Sequence, residues 1–110
     1  MHDRLTLYRA VRDSELDDIL ATGTYRIFSG MSVEGKYFFE TVERAAGFAQ
    51  KMYKIFPEEG SYTITSIRVP HTIVQASTRV YVAGEGPAIF VPQHVLPLGP
   101  VQILDYVSIP

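Results

Sequence analysis

The 110-residue chain contains no cysteine, which excludes disulfides, thiolate catalysis and cysteine-based zinc sites. No run of apolar residues is long enough for a membrane span, and the N-terminal MHDRLTLYRA carries no signal-peptide pattern. The chain is therefore expected to be soluble and not to engage a membrane, with any secretion signal lying elsewhere or absent. An excess of one charge is also missing: ten basic residues stand against twelve acidic ones, for a net charge of −2. General nucleic-acid and membrane-surface binders depend on dense positive charge, so the balance argues against both classes and leaves room only for a local basic patch. There is no internal repeat, low-complexity stretch or linker. The phosphate-cradling patterns GxxxxGK[ST] and GxGxxG are absent, as is a nucleophile elbow. His2, His71 and His94 are too far apart to form a metal pair on one helix or strand.

What remains is ordinary globular material, 46% hydrophobic and 20% charged. The length implies a single domain over residues 1–110, burying roughly 65% of the unfolded chain's surface. Leu5, Leu7 and Arg9 alternate with Thr6, Tyr8 and Ala10, which predicts a strand. Ser14, paired with Asp17, is expected to cap a helix with Leu16, Ile19 and Leu20 on its apolar face, and Gly23 to stop it. Tyr25, Ile27 and Phe28 suggest a short strand, and Gly30 and Gly35 frame an irregular loop. Lys36–Phe39 returns to strand character. Thr41 caps a second helix that carries Ala45, Ala46, Phe48, Ala49, Met52 and Tyr53 up to Pro57.

The second half reads as β: Tyr62–Val69, Arg79–Val82, Ala88–Val91, a helical turn over Pro92–Leu96, and Val101–Ile109. Helices in the first half and strands in the second indicate an α+β fold rather than a doubly wound one.

Three places could carry chemistry. Arg9 lies in an otherwise apolar strand, where a guanidinium needs a partner. That partner is either a phosphate or carboxylate ligand, which suits its planar fork, or one of the chain's own acids such as Glu34 or Glu85. In Lys36-Tyr37-Phe38-Phe39, Tyr37 and Phe39 face one way and Lys36 and Phe38 the other. One aromatic can then line a pocket while its neighbour packs in the core, or all can be core with a surface lysine. Gly84-Glu85-Gly86-Pro87 reads as a hairpin turn that either exposes a solvated glutamate or presents a carboxylate at the edge of a cleft. Gln93 and His94, after a buried strand, are weaker pocket candidates.

The order of these segments resembles the ADP-ribosyltransferase fold, in particular the compact domains at the C-termini of bacterial polymorphic toxins. The likeness runs through Leu7-Tyr8-Arg9-Ala10, the helix with Glu15 and Ile19, Glu34-Gly35-Lys36-Tyr37-Phe38 leading into Thr41-Val42-Glu43-Arg44-Ala45, and Gly84-Glu85-Gly86-Pro87-Ala88-Ile89-Phe90-Val91-Pro92. It implies two N-terminal-half helices packed on a mainly antiparallel, split β-sheet. It also implies an NAD-dependent mono-ADP-ribosyltransferase or NAD glycohydrolase that cleaves the nicotinamide–ribose bond without a metal.

Tyr8, Arg9, Lys36, Tyr37 and Phe38 would then bind NAD as substrate. Aligning the family's strand-ending proline on Pro92 puts Ala88 where the catalytic glutamate usually stands. Either Glu85 takes that role through a different loop path, or the chain is a non-catalytic binding module of the same fold. The acceptor implied is a protein, a nucleic acid or water. A cognate inhibitor protein and delivery within a larger toxin belong to the same expectation.

Overall fold

The computed structural model describes residues 4–27, 35–82, 84 and 86–104. In chain order these form β1 (Arg4–Val11), α1 (Asp13–Thr22), β2 (Gly35–Phe38), α2 (Val42–Ile55), β3 (Thr63–Pro70), α3 (His71–Gln75), β4 (Thr78–Val82), β5 (Gly86–Pro92) and β6 (Gln102–Ile103). Two 3-10 turns lie at Pro57–Glu59 and Gln93–Val95. The result is a small α+β protein with two antiparallel sheets, ordered β1-β3-β6 and β2-β5-β4.

Among the described residues the sheets meet at one bridge, where Tyr8 and Phe39 exchange backbone hydrogen bonds of 2.8 and 2.7 Å. To either side of this bridge β1 and β2 follow different partners. β1 pairs with β3 in the register Leu7↔Ile67 and Arg9↔Thr65. β2 pairs with β5 in the register Tyr37↔Phe90 and Phe38↔Ile89.

Strand periodicity divides the core into two clusters. Leu7 and Val11 of β1 join Ile67 and Val69 of β3, Ile19 of α1, Tyr25, Phe38 and β5 residues Ile89 and Val91. On the other side Ala10, Ile64, Phe39 and Ala88 meet Ala45, Ala46 and Ala49 of α2. Alanines along one helix face let α2 lie close to the sheet. Covered on both faces, β3 is buried continuously from Ile64 to Ile67, whereas its sequence reads as clean alternation.

The helix caps divide between expectation and correction. Thr41 does cap α2, accepting a hydrogen bond from the Arg44 N–H at 3.2 Å. Gly23 stops α1 in the left-handed conformation, φ +74°, and donates its N–H to the Ile19 carbonyl. The start of α1 differs from the Ser14 cap: the helix begins at Asp13, and Arg12 precedes it with no side-chain cap bond.

Its buried stripe is Glu15 and Ile19, one helical turn apart, with Leu16 at the margin and Leu20 68% exposed. The helix is rotated to carry an acid inward, because that acid meets a buried base. Tyr25 forms only an isolated bridge to Leu98 instead of a strand, and Phe28 lies outside the described residues. Of the expected last strand over Val101–Ile109, the described part pairs with β3 over Gln102–Ile103, and residues 105–109 lie outside the described residues. α3 was not expected from the sequence. Among the described residues no helix is long and apolar enough to cross a membrane.

Candidate functional site

Only Arg12 separates β1 from α1, so the chain reverses sharply and the first turn of the helix returns beneath the end of the strand. This reversal brings Glu15 to Arg9. Arg9 Nε donates to Glu15 Oε2 and Nη2 donates to Oε1, both at 2.8 Å, in a bidentate pair. Nη1 donates to the Tyr37 carbonyl at 2.9 Å, reaching from β1 to β2 beside the Tyr8–Phe39 bridge. Lys36 Nζ donates to Glu15 Oε2 at 3.0 Å, so one carboxylate is shared by two cations from different sheets.

The surroundings fix this group in place. Arg9 Cζ sits 5.9 Å from the centre of the Phe38 ring. Phe38 packs edge-on against Tyr25 at 4.8 Å. The Tyr25 hydroxyl lies 2.5 Å from Thr65 Oγ1, and Thr65 Oγ1 donates to the Arg9 carbonyl at 2.8 Å. The polar side chains of Glu15, Tyr25, Lys36 and Thr65 are therefore partnered, as a low-dielectric site demands.

Burial alone would raise the Glu15 pKa. The hydrogen bonds and charge of Arg9, with the charge of Lys36, outweigh it and hold the carboxyl below its usual range. Burial, together with the neighbouring Arg9 charge, lowers the Lys36 pKa despite its contact with Glu15. Burial also raises the Tyr25 hydroxyl well above the ordinary phenol value, which keeps it a neutral hydrogen-bonding group.

A guanidinium carries five N–H groups. Glu15 and Tyr37 engage three of those on Arg9, and its side chain keeps 18% of its surface exposed. The group is thus oriented from within and still reaches solvent along one edge.

Among the expected site residues, Arg9, Lys36, Tyr37 and Phe38 come together and Tyr8 lies beside them at the bridge. Their roles differ. Lys36 is 1% exposed and Phe38 fully buried, so both belong to the interior; a surface position for Lys36 is corrected. Tyr37 is 49% exposed and turns outward from the same strand, in accord with the alternation. Tyr8 packs at the margin of the α2 cluster.

Arg9 is partnered by Glu15. The acids considered for it from sequence, Glu34 and Glu85, lie outside the described residues. Glu15, Tyr25 and Thr65 were not singled out as partners. The available signal was an acid one helical turn from Ile19, on the stripe that faces the core.

The residues flanking Glu85 lie against α2. Lys51 Nζ donates to the Gly84 carbonyl at 3.0 Å, and a Cβ on Gly86 would overlap the Arg44 guanidinium. Arg9 instead faces α1 on the opposite side of the sheet. Gln93 and His94 form a 3-10 turn after β5. Among the described residues no cluster of three or more histidine or acidic side chains could hold a metal ion.

Fold and site together define a small α+β protein whose two antiparallel sheets part beside an arginine–glutamate–lysine group, with Glu15 and Lys36 buried and Arg9 half-buried. No protein-family model, curated protein or solved structure matches the chain.

Proposed function

We propose that the chain is an NAD-using domain of the ADP-ribosyltransferase type, transferring ADP-ribose to an acceptor or to water. The observation that supports this reading is the Arg9 guanidinium, held by Glu15 and the Tyr37 carbonyl where the sheets part, with an edge open to solvent. A cation oriented before the ligand arrives binds a pyrophosphate without the cost of ordering a free side chain. Tyr37, whose carbonyl Arg9 engages, turns its exposed ring to the opposite face of β2 from Lys36 and Phe38, so a nicotinamide stacked on that flat ring lies around the strand from Arg9.

In the reaction the bond between nicotinamide nitrogen and ribose carbon breaks, and its electron pair leaves with nicotinamide. The acceptor's nucleophilic atom bonds to the ribose carbon and gives up its proton to solvent water. A carboxylate near the ribose stabilises the positive charge that develops there, the role open to Glu85.

A non-catalytic binding module of the same fold is the second reading. It is favoured by the α2-side position of the residues flanking Glu85, away from Arg9.

Calorimetric titration of NAD, with nicotinamide release assayed in the same samples, separates the two. Wild type is expected to bind NAD. Arg9→Lys, which keeps the charge and loses the fork, should weaken binding about ten- to hundredfold. Release abolished by Glu85→Gln supports the enzyme, and binding without release supports the module. No binding by wild type rejects NAD as the ligand.

A further inference from the structure

Tyr37 is exposed on an open sheet face, yet its ring is not left to rotate freely. Phe90 stands directly across from it in the β2–β5 register, and the ring centroids are 4.9 Å apart at 55°. Phe90 is itself lodged from the other direction. A Cβ placed on Gly35 would come within 2.8 Å of Phe90 Cζ and 2.3 Å of the Val91 carbonyl oxygen. Gly35 and Tyr37 lie two residues apart on β2, so their side-chain positions share one face. The Phe90 ring spans both positions, and the bare glycine provides the room.

The neighbouring cross-strand pair, Ala88 and Val80, packs into the α2 cluster, whereas Thr78, opposite Phe90, is exposed. The helix therefore ends its cover just before the Tyr37–Phe90 pair.

We infer that Phe90 is a positioning residue for Tyr37, holding its ring in one orientation so that the two rings form a shelf for a planar heteroaromatic group. The ligand part of this inference rests on the NAD reading above; the positioning part does not. Without the Phe90 ring, Tyr37 would sample several rotamers and lose that freedom again on each binding event. Gly35 also admits the Phe90 ring, although the Val91 carbonyl oxygen and Pro92 Cα of the paired strand already exclude a Cβ at this position.

The test uses the full chain with Phe90→Leu, Phe90→Met and Phe90→Tyr, each checked for native circular dichroism. Aromatic carbon–proton NMR, with the Tyr37 signal assigned through Tyr37→Phe, reads the ring directly. Wild type and Phe90→Tyr are expected to show a ring-current shift at Tyr37, and Phe90→Leu and Phe90→Met to lose it. NAD titration should show the two aliphatic variants weakened about three- to tenfold and Phe90→Tyr restored.

An unchanged Tyr37 signal in both aliphatic variants overturns the positioning role. NAD binding that is present in wild type and equal in all variants overturns the shelf and leaves the NAD reading intact. Absence of NAD binding in wild type, with the expected Tyr37 shifts, rejects NAD while the positioning role stands. Should Phe90→Leu not fold, Phe90→Met carries the same comparison.

Discussion

Glu15 is the residue on which the centre of the molecule depends. It compensates the buried Lys36 and the half-buried Arg9, and removing one member of a buried ionic group typically costs about 3–5 kcal/mol. Since small domains are stabilised by only about 5–15 kcal/mol, Glu15→Gln should remove a large share of the unfolding free energy, read as a lower urea midpoint. The same carboxyl also sets a pH dependence. Its folded-state pKa lies below the unfolded value, so its contribution is complete above the ordinary carboxylate range and is lost as pH falls through the lowered value. Wild type should lose stability in that acid range, and the difference between wild type and Glu15→Gln should narrow there. A constant difference across the range would assign the acid loss to other carboxylates.

The helix ends provide a separate test at the scale of elements. Gly23 has φ +74°, and nothing lies within 4 Å of where a Cβ would stand. Gly23→Ala thus meets no steric obstacle and should cost only the backbone penalty of about 1–2 kcal/mol. Thr41→Ala removes the acceptor for the Arg44 N–H and should cost about 1 kcal/mol. Thermal unfolding measures both, and the two should add because the sites share no partner. α1 carries the more informative lesson. Its leucines suggested a face made of Leu16, Ile19 and Leu20, but the buried stripe is Glu15 and Ile19. Hydrophobic spacing locates a helix well. It rotates that helix wrongly when an inward-facing charge has a partner on another element.

For the whole molecule, the two core clusters lie on opposite sides of β1 and β3, and α2 closes one of them through Ala45, Ala46 and Ala49. Ala49→Leu forces extra volume into this narrow contact and should destabilise by about 1–3 kcal/mol. Denaturant titration should show a lower midpoint with an unchanged slope, the sign of a native state weakened without a change in surface exposed on unfolding. The same division separates Arg9, which faces α1, from the Gly84 and Gly86 backbone, which faces α2. That separation makes nicotinamide release by Glu85→Gln the decisive comparison between enzyme and binding module.

Local chemistry was legible in the linear chain. The alternation of Leu5–Ala10, the Thr41 cap, the Gly23 stop and the inward–outward pattern of Lys36, Tyr37 and Phe38 all follow from backbone geometry within a few residues. The sequence by itself also determined that Arg9 must have a partner, because its neighbours place it among apolar side chains. Which partner it takes was decided only by the tertiary structure. Glu15 reaches Arg9 through a tight reversal, Lys36 joins them from another sheet, and Phe90 meets Tyr37 by register across more than fifty residues. Such contacts depend on how elements pack and rotate against one another, and the energy that selects them is shared among residues far apart in the chain.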